Sequence, residues 1–232
     1  MAEHPAEVAD ISKNANSLLI NLGNITDIRL KSFELAAKSA NDKNIPIIID
    51  IVGVCCSKLR MDFALHFIEK FSPEIIKGNI SEIKAIIGLE HNSNSVDASS
   101  KDKIDLLYST SLIKKISSYS KEHKATLVAT GETDIIISKD NLYTLHNGCE
   151  SLAKITGTGC MSTALIACYL GFTSPELASM IGISMQNISA EYSDNEKGLG
   201  SFKISLHDHI STISSNEFTK KLKYNKYNIT EL

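Results

Sequence analysis

The sequence predicts an α/β protein organised around a central, mostly parallel β-sheet. Within the first 130 residues, four short apolar runs alternate with longer segments of helical spacing, the pattern of repeated strand–helix units. The runs are apolar throughout rather than alternately apolar and polar, as expected for strands that helices cover on both faces. Each run ends close to polar residues or glycine, and the carboxyl ends of parallel strands are where such sheets bind ligands. The four runs are SLLINLG, IPIIID, PEIIKGN and ATLVAT.

The first two predicted strands are each followed by a helix. After SLLINLG, a helix that Thr26 or Asp27 can cap presents an apolar face up to Lys43. The strand IPIIID then ends in an aspartate, and a second helix is predicted over Leu59–Phe71. These segments form two consecutive strand–helix units of a parallel sheet.

The third unit begins with PEIIKGN, in which Lys77 is predicted to end the strand and the following Gly-Asn to form a turn into the helix SEIKAIIG. A polar, serine-rich stretch over 91–103 predicts a surface loop and the most disordered part of the chain. A helix over Ile104–His123 and a strand over Ala125–Thr130 complete the repeated pattern.

The final third of the chain departs from this repetition. DIIIS and NLYTLHN predict an antiparallel hairpin at the sheet edge, followed by helices over Gly159–Leu170 and Pro175–Tyr192 and by an amphipathic helix after GLGSF. The lysine-rich end KKLKYNKYNITEL is interpreted as a solvated tail. We therefore expect one domain over residues 1–232, with a C-terminal helix and polar tail over 207–232.

Composition narrows the class of protein. The 232 residues carry a net charge of −3 with both signs interspersed, which excludes the charge pattern typical of nucleic-acid or acidic-membrane partners. Five cysteines without CxxC spacing favour a reducing compartment over a disulfide framework. The N-terminus lacks a basic flank with an apolar core, and no apolar run is long enough to span a bilayer. We expect a cytoplasmic protein that binds neither nucleic acid nor membrane.

The segment KITGTGC, followed by a helix of small and apolar residues, is the strongest candidate site. Gly157 and Gly159 let the backbone approach a ligand closely, and N–H groups in the first turn of a helix bind anions, so a phosphate is the expected occupant. Cys160 lies at this helix N-terminus, a position that favours a thiolate. The alternative is a tight turn followed by a small core cysteine.

Two acidic residues are candidate metal ligands. Asp50 ends a buried strand, where a carboxylate can meet a metal ion or a substrate hydroxyl, although it can also cap a helix. Glu82 falls in the first turn of the next helix, where it either complements the helix dipole or supplies a second oxygen ligand for Mg²⁺.

Six motifs occur in order along the chain: IIID-x-VG, IIKGNxSEI, VATGETD, YTLHNG, KITGTGC and GSF. In this order they closely resemble the hydroxyethylthiazole kinase family of the ribokinase-like superfamily, over residues 1–206. The resemblance implies a three-layer ribokinase-like fold and transfer of the ATP γ-phosphate to the hydroxyl of 4-methyl-5-(2-hydroxyethyl)thiazole in thiamin salvage.

The same resemblance implies a role for individual residues. Cys160 matches the candidate base for the substrate hydroxyl, and Met1 and Gly157 match substrate-binding positions. Asp50 and Glu82 match the acidic magnesium site. The ATP-binding positions match a lysine, two threonines and a glycine, which are Lys77, Thr130, Thr156 and Gly159. Because family members form trimers with active sites between subunits, the resemblance also implies a homotrimer.

The chain departs from the family pattern in several places. It lacks the family's N-terminal strand–helix unit with a CITN-type segment, Cys55 stands where the family has glycine, Lys77 replaces an arginine, and Leu199 replaces a proline. These departures leave two alternatives open. One is a truncated or decayed paralogue that binds nucleotide without turnover, and the other is a different small-alcohol or pyrimidine kinase of the superfamily.

Overall fold

The computed structural model describes residues 2–89, 110–195 and 198–232, which form one mixed sheet with helices on both faces. The strands lie in the sheet in the order in which they occur in the chain. The first four are parallel, and the last three are antiparallel to their neighbours. The strands are β1 (Leu18–Asn21), β2 (Ile47–Asp50), β3 (Ile75–Asn79), β4 (Thr126–Thr130), β5 (Asp134–Ser138), β6 (Asn141–Leu145) and β7 (Tyr224–Asn228). The predicted α/β class is confirmed, and the sheet is mixed, with three parallel and three antiparallel pairings among the described strands.

The helices agree with the predicted segments to within a few residues. They are α1 (Val8–Ser12), α2 (Asp27–Asn41), α3 (Lys58–Phe71), α4 (Ile80–Ile86), α5 (Thr110–His123), α6 (Thr158–Leu170), α7 (Pro175–Ser193), α8 (Leu199–Thr212) and α9 (Ser215–Lys221). The predicted loop over 91–103 and the start of the helix predicted from Ile104 lie outside the described residues. None of the described helices is both long and apolar enough to cross a membrane.

Two apolar layers, one on each face of the sheet, hold the structure together. Because side chains of a strand alternate between faces, Ile47 and Ile49 pack on one side with α2 to α5, whereas Ile48 packs on the other side with α6 and α7. Strands covered on both faces must be apolar throughout, as IPIIID is. The architecture is the three-layer arrangement that the sequence predicts.

The connections between strands and helices are fixed by side-chain caps. Thr26 rather than Asp27 caps α2 by accepting a hydrogen bond from the Arg29 backbone N–H at 3.2 Å. At the end of β3, the predicted boundary at Lys77 is wrong, since the strand continues to Asn79, whose side chain then caps α4 directly. Lys77 therefore lies inside a buried strand rather than in a turn.

The C-terminal end differs from the solvated tail that its composition indicated. Most of its residues are exposed, although Ile229 is buried in the larger apolar layer. Residues 224–228 form β7, which pairs antiparallel with β6 and makes β7 the sheet edge in place of the predicted hairpin. Its side chains bury no apolar face, so the segment YNKYN has no hydrophobic periodicity from which a strand could be predicted. Backbone pairing and the Lys226 ammonium, 5.5 Å from the centre of the Tyr143 ring, hold it in place.

Candidate active site

A polar residue ends each of the four parallel strands. Asn21 pairs with Asp50 in the register of β1 and β2, and Asn79 pairs with Thr130 in the register of β3 and β4. Parallel strands bring their carboxyl ends to the same sheet edge, so these side chains form a continuous polar row, as the sequence indicated. The N-terminus of α6 lies against this row through the contacts of Lys77, Asn21 and Thr163.

The Asp50 carboxylate lies at the centre of the row and is only 1% exposed. Its Oδ2 accepts hydrogen bonds from Thr163 Oγ1 at 2.6 Å and from Asn21 Nδ2 at 3.1 Å, and it lies 3.5 Å from Lys77 Nζ. Its Oδ1 accepts a bond from the Val52 N–H at 3.3 Å. A buried carboxylate with this many donors is fixed in orientation.

Lys77 joins the third strand to the start of α6. Lys77 is 3% exposed, and its ammonium donates to the carbonyl oxygen of Gly159 at 2.7 Å and lies 3.5 Å from Asp50 Oδ2. A β-carbon added to Gly159 would lie 3.5 Å from this ammonium, an ordinary van der Waals contact. Lys77, which the family resemblance predicts to contact ATP, therefore contacts both the Asp50 carboxylate and the first turn of α6, where the anion site is predicted.

Glu82 is buried beside Asp50 and tethers two backbone segments. Its two carboxylate oxygens accept hydrogen bonds at 2.7 Å from the Gly53 and Asn79 N–H groups. Burial raises the pKa of Glu82 to about 7, and the nearby Asp50 charge adds to the rise, while the two N–H donors and Lys77 oppose it. Glu82 therefore has a structural role in the first turn of α4, where it forms a capping box with Asn79, and its oxygens also lie beside Asp50.

The start of α6 has the features of an anion-binding helix terminus. Gly157 precedes the helix with φ +97°, a left-handed conformation that suits glycine, and the space around its position is open. Among the described residues no side chain caps this helix, and the Thr158 hydroxyl turns back to the carbonyls of Leu152 and Ile155 at 3.1 Å. The first-turn N–H groups thus remain available to a ligand oxygen.

Cys160 is half-buried in the first turn of α6. Its sulfur accepts a hydrogen bond from Asn21 Nδ2 at 3.2 Å, and the same amide group donates to Asp50. The alternative of a small core cysteine behind a simple turn is therefore wrong, since the sulfur contacts a polar side chain at the ligand-binding edge. The cysteine and the central carboxylate share one amide donor.

The remaining predicted residues lie around this centre. Thr130 is half-buried at the end of β4 and donates to the Gly78 carbonyl at 3.3 Å, and Thr156 is exposed directly before Gly157. Cys55 packs against the larger apolar layer, which accommodates this departure from the family pattern. Met1 lies outside the described residues.

The sequence alone predicted no role in the site for three residues, which are Asn21, Asp134 and Thr163. Thr163 follows Cys160 by three positions on the helix, the spacing that puts two side chains on one face, and it supplies the shortest contact to Asp50. Asn21 was seen only as the polar tip of a strand. Asp134 belongs to the motif VATGETD, but its partner Asn187 lies 53 residues further along the chain, so no local spacing indicates the pair.

Asp134 and Asn187 fix the turn that follows β4. Asp134 accepts hydrogen bonds from the Gly131 N–H at 3.0 Å and from Asn187 Nδ2 at 2.7 Å. Asn187 also donates to the Asn147 carbonyl at 2.9 Å, which joins this turn to the segment after β6. Burial raises the pKa of Asp134 to about 6, although both donors and the Lys77 charge act to lower it.

We expect Asp134→Asn to change how stability depends on pH. Because the folded-state pKa lies above the unfolded value of 3.8, the carboxyl is protonated more readily in the folded chain, and the wild type loses stability as pH rises from about 4 to 6. The free energy of unfolding of the variant should therefore gain about 2 kcal/mol relative to wild type between pH 4 and pH 6. Urea unfolding at a series of pH values measures this difference.

The exposed Asp42, at the end of α2, provides the control for this change. Asp42→Asn should leave the difference from wild type independent of pH between 4 and 6. An equally flat difference for Asp134→Asn would contradict a buried, raised-pKa carboxyl at position 134.

Asp50 and Glu82 fit a magnesium ion. Two buried carboxylates face one buried lysine, and their oxygens are the ligand type that Mg²⁺ prefers. In the described ranges no group of three or more His, Cys, Asp or Glu side chains could hold a metal. Since Mg²⁺ in kinases is commonly held by one or two carboxylates together with water and substrate phosphates, two ligands are sufficient.

Comparison with known proteins identifies similar chains. A sequence model of the hydroxyethylthiazole kinase family matches residues 1–216. Hydroxyethylthiazole kinase 2 of Clostridium botulinum strain Hall is 42% identical over 98% of this chain and 86% of its own length. Hydroxyethylthiazole kinase of Finegoldia magna is 40% identical over 97% of this chain and 82% of its own. The structure of a hydroxyethylthiazole kinase from Pyrococcus horikoshii OT3 superposes with a TM-score of 0.85 and 26% identity, covering 98% and 84% of the two chains.

Proposed function

The chain belongs to the hydroxyethylthiazole kinase family, and we propose that it transfers the ATP γ-phosphate to the side-chain hydroxyl of 4-methyl-5-(2-hydroxyethyl)thiazole at the carboxyl edge of its sheet. As a member of this family it is a kinase of thiamin salvage with ATP as co-substrate. The observation that supports the proposed site is the shared amide of Asn21. This amide places the sulfur of Cys160 beside the buried Asp50, at a helix N-terminus with free N–H groups.

The proposed phosphoryl transfer requires the protein to position the two substrates and to stabilise charge, and it involves no covalent bond between protein and substrate. The alcohol oxygen forms a bond to the γ-phosphorus of ATP, the bond to the bridging oxygen of the β-phosphate breaks, and ADP leaves. The alcohol proton passes to the sulfur of Cys160, which acts as the base. The first-turn N–H groups of α6, beginning at Thr158, receive oxygens of the transferred phosphoryl group, and Gly157 leaves space in front of them for the substrate.

Lys77 and the two threonines are proposed to serve the nucleotide. The Lys77 ammonium lies next to the carbonyl of Gly159, within reach of the anion site, and its charge favours phosphate oxygens there. Thr130, half-buried at the end of β4, and Thr156, exposed directly before Gly157, are proposed to contact the nucleotide. Asp50 and Glu82 would hold a magnesium ion, which would supply positive charge to neutralise the phosphates.

The reaction is tested by following ADP release with purified protein, ATP and Mg²⁺, with and without hydroxyethylthiazole. We expect release that depends on the thiazole and on Mg²⁺, and that exceeds release with pyridoxal or a hydroxymethylpyrimidine as acceptor. Equal turnover of all alcohols would support a different acceptor in the same superfamily. No turnover of any acceptor by folded protein would support the inactive paralogue.

Exchanging the proposed base for another base should preserve activity. Cys160→Asp introduces a carboxylate that can accept the alcohol proton, and the Asn21 amide can donate to it as it does to sulfur. We expect Cys160→Asp to keep measurable kcat, whereas Cys160→Ala loses about 10² to 10⁴-fold, the usual contribution of a general base. A folded but inert Cys160→Asp, with an alanine variant of equal rate, would contradict the role of base.

We also propose a homotrimer in the cytoplasm. Large apolar side chains such as Phe172, 78% exposed, and Ile204, 68% exposed, are suited to contacts between subunits. A reducing compartment prevents oxidation of the Cys160 sulfur, as its proposed role of proton acceptor requires. Light scattering coupled to size exclusion should give three times the mass of the chain, and a monomeric mass would contradict the assembly.

A further inference from the structure

We infer that Asn21 is a positioning residue of the phosphoryl transfer, which acts by holding the sulfur of Cys160 beside the Asp50 carboxylate. This role rests on the kinase reaction proposed above, to which it adds a residue. The evidence is the set of three hydrogen bonds made by one amide. These bonds join the end of β1 to the end of β2 and to the first turn of α6.

The three bonds fix the orientation of the amide. Asn21 Oδ1 accepts a bond from the Gly23 N–H at 2.9 Å, while Nδ2 donates to Asp50 Oδ2 and to Cys160 Sγ. Rotating the amide by 180° would place its oxygen against a carboxylate and its NH₂ group against an N–H. The observed orientation therefore satisfies all three partners, and the flipped one repels two of them.

The chain backbone provides the space that this amide needs. A β-carbon added to Gly23 would lie 2.8 Å from Asn21 Oδ1, closer than carbon and oxygen can approach. No left-handed conformation is recorded for Gly23, so alanine fits its backbone. Gly23→Ala would thus displace the Asn21 side chain without deleting it.

The Asn21 amide is one of several donors that position Asp50, whereas among the described residues it is the donor that positions the sulfur of Cys160. If Asn21 is removed, Asp50 keeps the Thr163 hydroxyl, the Lys77 ammonium and the Val52 N–H. The sulfur of Cys160 loses the donor that orients it toward the same carboxylate. The effect of removing Asn21 should therefore pass through Cys160, and it should appear in the chemical step more than in substrate binding.

A double-mutant cycle between positions 21 and 160 tests this route. We expect Asn21→Ala to lower kcat by roughly 10-fold with the KM for hydroxyethylthiazole within about threefold, because the base is kept but misplaced. In a Cys160→Ala background the same change should lower kcat by less than about twofold, since its target has been removed. Equal losses in both backgrounds would overturn the inference and make Asn21 a structural residue.

Thr163→Val is the matched control for this cycle. It removes the shortest hydrogen bond to the same Asp50 oxygen but not the donor to the sulfur. Its effect should be of similar size with and without Cys160, because it acts through the carboxylate. If the loss of kcat caused by Thr163→Val also disappeared in the Cys160→Ala background, dependence on the sulfur would not be specific to Asn21. The inference would then be overturned.

Gly23→Ala gives a second measurement that does not require the weakly active Cys160→Ala. It should lower kcat by about threefold or more in wild type and have no further effect once Asn21 is alanine. Thermal unfolding confirms that each variant is folded. Wild-type protein that does not phosphorylate the thiazole would contradict the proposed function, whereas an active wild type with additive cycles would contradict only the role of Asn21.

Discussion

Replacing Asp50 by asparagine should lower kcat by roughly 10³-fold, an amount typical of losing a charge that serves the transferring phosphate. An amide keeps one acceptor oxygen, which can face Thr163, Asn21 and Lys77, but it carries no charge, and its NH₂ group would then meet the Val52 N–H donor. The change also leaves the Lys77 ammonium buried without its nearest negative charge. Single-turnover measurement of phosphoryl transfer at saturating ATP, over a range of Mg²⁺ concentrations, records the loss in the chemical step and the shift in metal requirement.

Asp62→Asn is the control for this change, because Asp62 is an exposed aspartate on α3, on the surface of the protein. It should leave kcat and the Mg²⁺ requirement unchanged. If Asp50→Asn kept kcat within about tenfold of wild type with the same Mg²⁺ requirement, Asp50 would not be a magnesium ligand, and the smaller loss would be that of one hydrogen-bond acceptor.

The location of the site followed from the sequence, because it depends on local features. An apolar run that ends in Asn21 or Asp50 contains both the strand and the polar tip. Parallel topology then requires the tips to lie at one edge, as the registers of β1 to β4 confirm. The glycines of KITGTGC likewise indicated the helix terminus on their own, and Gly157 has the left-handed conformation that explains its residue type.

The partners within the site could not be predicted, because they are distant in sequence. Asn21 and Cys160 are 139 residues apart, and Asp50 and Thr163 are 113 apart, so their contacts depend on how α6 packs over the sheet. The polar strand β7 was missed for a related reason. Its stability comes from pairing with β6 and not from an apolar pattern of its own.

The raised pKa of the buried Glu82 carboxyl could not be predicted from the sequence either. Glu82 was expected either to complement the helix dipole or to bind a metal ion, and the structure shows that it forms a capping box with Asn79 while its oxygens lie close to Asp50. Burial, which no motif reports, raises its pKa to about 7. Among the described residues, the site contains two buried carboxyl groups, Asp50 and Glu82, and one buried lysine, Lys77. A bound cation would therefore stabilise the folded chain, as the proposed magnesium ion would.

The packing of α6 against α7 makes Gly182 the position where one methyl group should cost the most stability. A β-carbon there would lie 2.5 Å from the backbone nitrogen of Ile166 and 2.7 Å from its Cα, and backbone atoms cannot move aside as a side chain can. Gly182→Ala should therefore lower the free energy of unfolding by about 2–3 kcal/mol. The midpoint of thermal unfolding should fall by about 4–12 °C.

Gly200→Ala is the matched control, because Gly200 is also helical but has open space around the position of a β-carbon. Alanine should stabilise that helix by about 0.5–1 kcal/mol, so the two identical substitutions are expected to have opposite signs. Equal stabilisation by both would show that α6 and α7 are not in close backbone contact. Because α6 also carries Cys160, any shift that relieves the clash at Ile166 moves the sulfur relative to Asn21. Gly182→Ala should therefore lower kcat even at temperatures where the variant is fully folded, whereas Gly200→Ala should not.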